Sequence, residues 1–276
     1  MILDGRKTAD ILNERLLEKV LKLKSKPHLE IILIGNNPAS HSYVKSKLKT
    51  VNKVGMSINI NYLEEDISED YVYNLIDKYN QDPKVNGILL QLPIPKHLNE
   101  DRLIESISFL KDVDGFHTMN RGLLFQNKNG TRPATPLGII MLLKHYNIEV
   151  SGKDVLVIGR SQIVGTPMSK MMLDLNATVT TAHSKTKDLD FYTKHADIII
   201  VAAGKPNLLT KEMIKEGAII IDVGINRFNG KLVGDVDFIN VKDKASFITP
   251  VPGGVGPMTI CALSYNLYDL YLKQER

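Results

Sequence analysis

The sequence predicts an α/β protein of two domains, each built around a mostly parallel sheet. Short apolar runs alternate with stretches whose apolar residues recur at helical spacing, as in proteins whose strands and helices follow one another along the chain. This alternation occurs twice, before and after about residue 150. A chain of 276 residues is long enough for two such domains, each with its own core.

The first series predicts an N-terminal α/β domain of three layers, with helices on both faces of the sheet. Apolar residues at helical spacing between Leu12 and Leu23 predict the first helix, and another is expected from about Ser40. Ser68 and Asn99 carry side chains that suit the caps of two later helices. Apolar runs predict strands at residues 29–35 and 85–91, and the alternation of Ile58, Ile60 and Tyr62 with polar residues predicts another at residues 58–62.

The second series predicts a further domain with a parallel sheet. A helix is expected at residues 165–175 and another at about residues 211–216. Short stretches rich in isoleucine, valine or threonine predict its strands. The predicted strands lie at residues 155–158, 178–181, 198–201 and 218–222.

Two helices at the domain boundaries complete the predicted organisation. Thr135 followed by Pro136 is typical of a helix start, with the threonine as cap, and this helix is expected to run through Tyr146 as a bridge between domains. A last helix, at about residues 257–273, follows a loop rich in proline and glycine. The predicted domains are residues 1–134 with 257–276, and residues 135–256.

The composition favours a protein that acts on small molecules. The net charge of +4 arises from 35 basic and 31 acidic residues, an excess that suits anionic ligands but is too small to indicate nucleic-acid binding. The N terminus is charged, and no apolar run approaches the roughly 18 residues of a membrane span. The single cysteine, Cys261, excludes an intramolecular disulfide and fits a reducing compartment. We expect a cytoplasmic protein without nucleic-acid or membrane partners.

Residues 159–167 predict a nucleotide site, because they follow a strand and open a helix, where a dinucleotide pyrophosphate binds helix N–H groups. The usual glycine pattern is altered, with Ser161 at its second glycine and Val164 at its third, so the pattern alone is weak. A second strand about twenty residues later strengthens it.

The end of that second strand indicates which dinucleotide binds. A site for NAD requires a carboxylate there, but residues 182–187 contain none. They offer Ser184 flanked by histidine and lysines, and Arg160 could reach the same group. An ordinary polar turn is the alternative interpretation. We predict NADP, since a hydroxyl among cations suits its 2′-phosphate.

A possible catalytic group lies on the helix that starts near residue 40. Ser40, Tyr43 and Lys47 are spaced three and four apart, so a helix places them on one face. They come just after the carboxyl end of a strand, where α/β sheets bind ligands, and Gln91 ends another strand before two prolines. Judged alone, a tyrosine and a lysine four apart are usually surface residues. Short-chain dehydrogenases also have a tyrosine and a lysine four apart, but there the pair follows the nucleotide-binding turn. Here the pair precedes the predicted nucleotide-binding turn by more than a hundred residues, so the order of the motifs argues against that class.

Two loops and the histidines complete the survey of candidate residues. Asp112 and Asp114 belong to a predicted turn that ends in glycine. Judged alone, such a turn usually stabilises the backbone and has no role in binding or catalysis. Residues 249–259, with the sequence Thr-Pro-Val-Pro-Gly-Gly-Val-Gly-Pro-Met-Thr, predict a rigid loop whose backbone closely approaches another group and which ends at a helix start. The alternative is a plain connection between domains. The seven histidines lack metal-ligand spacing, so no metal site is predicted.

Together these motifs resemble those of the bifunctional methylenetetrahydrofolate dehydrogenase/cyclohydrolase family. They occur in the family's order over nearly the whole chain, and the last block is highly specific. One departure is Ala134, where the family commonly has cysteine. The matching segments are residues 40–47, 91–95, 112–115, 133–136, 159–167, 222–226 and 249–259.

The resemblance implies two reactions in one active-site cleft between an N-terminal catalytic domain and a Rossmann-type NADP-binding domain. NADP⁺ takes a hydride from 5,10-methylenetetrahydrofolate, and water opens the 5,10-methenyl product to 10-formyltetrahydrofolate. Members of the family are typically homodimers. The alternatives are a dehydrogenase without the hydrolase step, a relative of shikimate dehydrogenase, and a nonenzymatic nucleotide-binding or basic-surface protein. The Tyr43, Lys47 and Gln91 set disfavours the second alternative.

The resemblance also implies roles for individual residues. Lys47 is the acid/base group that activates water, and Gln91 hydrogen-bonds to it. Tyr43 packs on the folate, and Asp114 holds the amino edge of the pterin. The expected cofactor-binding residues are Gly159, Arg160, Ser161, Ser184, Ile225 and Thr135, and the expected further substrate-binding residues are Ser40, Pro252, Gly253, Gly254 and Val255.

Overall fold

The computed structural model describes residues 1–228 and 230–275, and its strands form two main parallel sheets. In chain order the elements are α1 (Gly5–Val20), β1 (His28–Ile34), α2 (Pro38–Lys53), β2 (Ser57–Leu63), α3 (Glu69–Gln81), β3 (Gly87–Leu90), α4 (Glu100–Ser106), α5 (Thr118–Phe125), α6 (Ala134–His145), β4 (Asp154–Ile158), α7 (Gly165–Leu173), β5 (Thr178–Ala182), α8 (Leu189–His195), β6 (Ile198–Val201), β7 (Ile219–Asp222), β8 (Asn226–Phe228), β9 (Lys231–Val233), α9 (Phe238–Val241), β10 (Phe247–Ile248) and α10 (Val255–Gln274).

Contacts between Cα atoms divide the chain into two units. The three-stranded unit comprises Ile11–Ala134 and Ile260–Arg276, and the five-stranded unit comprises Met1–Asp10 and Thr135–Thr259. The predicted division placed residues 1–134 together, whereas the structure groups the first ten residues with the five-stranded unit.

Backbone pairing explains why the N-terminal residues join the five-stranded unit. Ile2 forms a parallel bridge with Ile248 of β10, and the Leu3 N–H donates to the Ile248 carbonyl at 2.8 Å. Since β10 is at the edge of its sheet, its outer backbone groups are open to such pairing. A pairing this short has no apolar periodicity, so the sequence pattern did not reveal it.

The three-stranded unit is a parallel sheet of order β2-β1-β3 covered by helices on both faces. Alternate residues of β1 point to opposite sides. Leu29, Ile31 and Leu33 join a core with residues of α1, α2 and α10. Ile32 and Ile34 join a second core with residues of α3 and α4. The unit therefore has the three layers that the sequence predicts.

Helix starts in this unit follow side-chain caps. Ser68 accepts the Tyr71 N–H and Asn99 accepts the Arg102 N–H, as predicted for α3 and α4. The helix expected from about residue 40 begins two residues earlier, because Asn37 caps it. The sequence also did not predict α5, a two-turn helix capped by the His117 ring.

The five-stranded unit has the parallel order β10-β7-β6-β4-β5, with the antiparallel pair β8 and β9 beside it. The strands expected from the second series are all present, and β10 is added at the edge. The helix expected at about residues 211–216 is wrong in extent, because only a single 3₁₀ turn forms there, at Lys211–Met213. Ile158, Val201 and Asp222 end β4, β6 and β7, so they lie at the carboxyl edge of the sheet. Among the residues that the structure covers, no helix is long and apolar enough to span a bilayer.

Candidate active site

Lys47 and Gln91 are in contact inside the three-stranded unit. The Lys47 Nζ donates to the Gln91 Oε1 at 3.0 Å, and only 3% of Lys47 is exposed. The Gln91 Nε2 in turn donates to the Leu92 carbonyl at 2.7 Å, which leaves the amide oxygen facing the lysine. The ammonium also lies 4.9 Å from the centroid of the Tyr43 ring, within the range of a cation–π interaction. The lysine is therefore held by two neutral partners.

Burial controls the electrostatics of this group. Removal from water lowers the pKa of Lys47, while the negative charge of Asp114 opposes that shift. Burial likewise raises the pKa of Asp114, which the lysine charge lowers and the Asp112 charge raises further. An amine whose pKa is lowered can act as a base nearer neutral pH than an ordinary lysine.

Asp112 holds the turn that presents Asp114. Its Oδ1 accepts the Gly115 N–H at 3.0 Å, and its Oδ2 accepts the His117 N–H at 2.9 Å and the Asn120 Nδ2 at 2.8 Å. Gly115 has φ 73°, a conformation that a side chain would strain. Sequence reasoning identified this turn but gave Asp112 no separate task, because only the fold shows where the N–H groups converge.

Ser40 lies on the same buried face of α2 as Lys47. Its backbone N–H donates to the Asn37 Oδ1 at 3.2 Å, so it belongs to the capped first turn. The helix therefore places Ser40, Tyr43 and Lys47 together in the way that their spacing predicts.

Gly159 and Ser161 shape the turn after β4. Gly159 has φ 135°, and a Cβ there would lie 2.3 Å from the Ala202 carbonyl oxygen, so no larger residue fits. The Ser161 Oγ accepts the Val164 and Gly165 N–H groups at 3.2 and 3.3 Å. The serine at the pattern's second glycine thus accepts two backbone N–H groups just before and at the start of α7, while the neighbouring Arg160 is exposed.

The turn after β5 exposes a hydroxyl and cationic side chains. The His183 N–H donates to the Thr186 Oγ1 at 2.9 Å, and the Lys185 N–H donates to the His183 Nδ1 at 3.2 Å. Ser184 and Lys185 are exposed, and the turn lacks a carboxylate. A hydroxyl and cations at this end of the strand suit the 2′-phosphate of NADP better than the free diol of NAD.

Ile225 and Thr135, the other two residues expected to bind the cofactor, both lie in the five-stranded unit. Ile225 follows β7 and is 62% exposed. Thr135 was expected to cap a helix, but α6 begins at Ala134, so Thr135 lies inside the first turn. Its hydroxyl accepts a hydrogen bond from the Thr259 Oγ1 at 3.1 Å.

Backbone hydrogen bonds from β7 and from the first turn of α1 anchor the loop at residues 249–255. The Asp222 N–H donates to the Thr249 Oγ1 at 2.7 Å, and the Arg6 N–H donates to the Gly253 carbonyl at 3.0 Å. A Cβ at Gly5 would lie 1.8 Å from the Gly254 carbonyl oxygen. The first turn of α1 thus packs directly against this loop. Within the described part of the chain, no cluster of side chains could hold a metal ion.

Two family profiles match consecutive parts of the chain. Residues 3–114 match the catalytic domain of tetrahydrofolate dehydrogenase/cyclohydrolase, and residues 133–275 match its NAD(P)-binding domain. The chain belongs to the tetrahydrofolate dehydrogenase/cyclohydrolase family. It is 66% identical over 276 residues to the bifunctional protein FolD of Acholeplasma laidlawii, with 100% of both proteins covered.

Solved structures of tetrahydrofolate dehydrogenase/cyclohydrolases have the same fold. The bifunctional FolD enzyme of Campylobacter jejuni is 50% identical, with a TM-score of 0.97 and 99% of each chain covered. The Trypanosoma brucei enzyme, a complex with NADP cofactor and inhibitor, is 32% identical, with a TM-score of 0.95 over 100% of this chain and 98% of that one.

Membership of the tetrahydrofolate dehydrogenase/cyclohydrolase family assigns two activities to the chain. It is an oxidoreductase that converts 5,10-methylenetetrahydrofolate to the 5,10-methenyl compound with NADP. It is also a hydrolase that converts the methenyl compound to 10-formyltetrahydrofolate in one-carbon metabolism. The predicted family, fold class, function and cofactor are confirmed.

Proposed function

We propose that Lys47 is the acid/base group of the hydrolysis and that Gln91 orients it. Tyr43 packs on the folate ring system, and Asp114 accepts the N–H pair at the amino edge of the pterin. Ser40 completes this substrate face. One observation carries the proposal: Lys47 is buried, and its Nζ donates a hydrogen bond of 3.0 Å to the Gln91 Oε1.

The chemistry of the hydrolysis requires a base that is neutral when water attacks. Water adds to the electrophilic methenyl carbon, and one of its protons passes to the amine of Lys47. The bond from that carbon to N5 then breaks with its electron pair on N5, which takes up a proton while the remaining hydroxyl proton is lost, and this leaves the formyl group on N10. Burial already lowers the pKa of Lys47, and the positive charge of the bound methenyl group would lower it further. A neutral amide at position 91 orients the amine without holding its proton as a carboxylate would.

For the oxidation, we place NADP at the carboxyl edge of the five-stranded sheet. The bound cofactor supplies the hydride acceptor. Exposed Arg160 and Ser184 suit its 2′-phosphate, and the turn from Gly159 to Ser161 suits the pyrophosphate at the start of α7. We assign Ile225 and Thr135 to the same site, and Pro252, Gly253, Gly254 and Val255 to the folate. The shared cleft that the resemblance implies stays a prediction.

A spectrophotometric assay tests the proposed function. The purified chain is mixed with 5,10-methylenetetrahydrofolate and either NADP⁺ or NAD⁺, and reduced cofactor is followed by absorbance. We expect faster reduction of NADP⁺, and separately a loss of the methenyl absorbance without nucleotide. A chain that reduces neither cofactor, or that leaves the methenyl compound unhydrolysed, contradicts the proposal.

We further propose that the chain is a cytoplasmic homodimer. The family resemblance supports the dimer, and the single cysteine fits a reducing compartment. Sedimentation analysis of the purified chain would test the assembly, and a monomer at micromolar concentration would contradict it.

A further inference from the structure

Two buried carboxylates lie side by side at the carboxyl edge of the five-stranded sheet, where β6 and β7 end. Asp222 is 2% exposed and Asp235 is 0% exposed. The Asp222 Oδ1 accepts the Gly224 N–H at 3.0 Å and the Asp235 N–H at 2.9 Å, and its Oδ2 accepts the Val236 N–H at 3.0 Å. Asp222 therefore anchors the backbone that carries Asp235.

Asp235 itself joins two loops. Its Oδ2 accepts the Ala203 and Gly204 N–H groups at 2.7 and 2.8 Å, in the loop that follows β6. Its Oδ1 accepts the Asn226 Nδ2 at 2.8 Å, in the segment that follows β7. Hydrogen bonds to an ionised carboxylate are stronger than those between neutral groups, so one side chain holds both loops.

Two glycines leave the room that these carboxylates occupy. A Cβ at Gly224 would lie 2.3 Å from the Asp235 Oδ1, and a Cβ at Gly234 would lie 1.8 Å from the Asp222 Oδ2. Either contact is far shorter than a real side chain allows. Glycine is therefore required at both positions if the two carboxylates are to occupy their buried sites.

The two loops border the residues assigned to the cofactor. The loop after β6 begins at Ala202, whose carbonyl oxygen packs against Gly159 of the nucleotide turn and whose N–H donates to the Ile158 carbonyl at 2.8 Å. Asn226 directly follows the exposed Ile225. Dinucleotides bind at this edge of parallel sheets, outside the carboxyl ends of the strands.

We propose that Asp235 is a positioning residue for NADP, which sets the loop at residues 202–204 and the segment at residues 225–226 in their binding conformation. It acts through those backbone and side-chain N–H groups, since it has no exposed surface with which to touch the cofactor. This inference rests on the proposed nucleotide site.

Substitutions of Asp235 separate this role from a purely structural one, because hydrolysis of the methenyl compound needs no nucleotide. Asp235→Ala removes the acceptor for three donors, and we expect the Kd for NADP⁺ in titration calorimetry to rise about tenfold or more. Asp235→Asn keeps the size and one acceptor oxygen, so its Kd should rise less. Nucleotide-free hydrolysis by both variants should stay within about twofold of the wild-type rate.

Asp197→Asn is the matched control. Asp197 precedes β6 at the opposite edge of the sheet, and its Oδ2 accepts the Asp154 N–H at 2.9 Å. This variant also loses a carboxylate bonded to backbone, but we expect normal NADP⁺ affinity.

An unchanged Kd in both Asp235 variants overturns the inference, and so does hydrolysis that falls in parallel with NADP⁺ binding. If Asp235→Ala does not fold, the same criteria apply to Asp235→Asn. A wild-type chain that neither binds NADP⁺ nor reduces it would instead refute the proposed nucleotide site, which makes the two failures distinguishable.

Discussion

Lys47 and Gln91 form a hydrogen bond of 3.0 Å although 44 residues separate them in the chain. Lys47 lies on α2, which follows β1, and Gln91 directly follows β3. Because β1 and β3 are parallel neighbours, their carboxyl ends bring both side chains to the same edge of the sheet. The sheet order thus creates a buried amine with a neutral partner.

Lys47→Met should abolish hydrolysis of the methenyl compound, because methionine fills the space but cannot accept a proton from water. We expect a fall in rate of about 10²–10⁴-fold, the usual contribution of general acid–base catalysis. The Kd for NADP⁺ should remain near the wild-type value. Lys45→Met on the exposed face of the same helix is the control. Hydrolysis retained in the Lys47 variant would end the assignment of the base.

Gln91→Glu should slow hydrolysis at neutral pH by about tenfold or more. A carboxylate beside the ammonium favours the charged form and raises the pKa of Lys47, so less of the neutral base is present. The pH–rate profile of the variant should move to higher pH, whereas Gln91→Leu should lower the rate without such a shift. Identical pH profiles for the glutamate variant and the wild type would contradict this account.

Arg160→Ala should weaken the preference for NADP⁺ over NAD⁺. The guanidinium is exposed beside the nucleotide turn and suits the 2′-phosphate, so its loss should raise the KM for NADP⁺ about tenfold or more. The KM for NAD⁺ should change little. Lys194→Ala removes an equal charge from α8 and serves as the control. An equal change for both cofactors would place Arg160 elsewhere in the site.

Asp222 should make stability depend on pH near 6. Burial raises its pKa from 3.8 to about 6, against the hydrogen bonds from the backbone N–H groups of Asp235, Val236 and Gly224. Between these two pKa values the folded state binds more protons than the unfolded state, so the contribution of Asp222 to the free energy of unfolding falls as the pH rises, by up to about 3 kcal/mol. Above about pH 6 it is constant.

Denaturant unfolding at several pH values checks this contribution. Relative to Asp222→Asn, the wild type should lose stability between about pH 4 and pH 6 and then run parallel to the variant. A wild type that gains stability relative to the variant as the pH rises to about 4, and stays parallel to it from there to pH 6, would show that the pKa of Asp222 is lowered instead.

Gly5→Ala should destabilise the chain, because its Cβ would lie 1.8 Å from the Gly254 carbonyl oxygen. We expect a loss of about 1–3 kcal/mol in the free energy of unfolding, as for other overpacked sites, together with a raised KM for the folate substrate. Gly122→Ala in α5 is the control, since a Cβ there meets no atom within 4 Å. Equal unfolding midpoints for the two variants would show that α1 does not constrain the loop.

Local patterns in the sequence determined much of this protein. The apolar strands, the caps at Ser68 and Asn99, and the spacing of Ser40, Tyr43 and Lys47 depend on neighbours within a few residues, where periodicity and capping act. The absence of a carboxylate after β5 likewise indicated the cofactor from adjacent residues alone.

Only the tertiary structure decided which distant groups converge. The pairing of Ile2 with Ile248, the contact of Gly5 with Gly254 and the loops joined by Asp235 link residues that share no sequence pattern. The two aspartates of one predicted turn also have different surroundings. Asp112 accepts hydrogen bonds from four N–H groups, whereas the charge of Lys47 lowers the pKa of Asp114 against the effect of burial. Hydrogen bonding and burial at such sites depend on sheet order and loop path, which local periodicity does not encode.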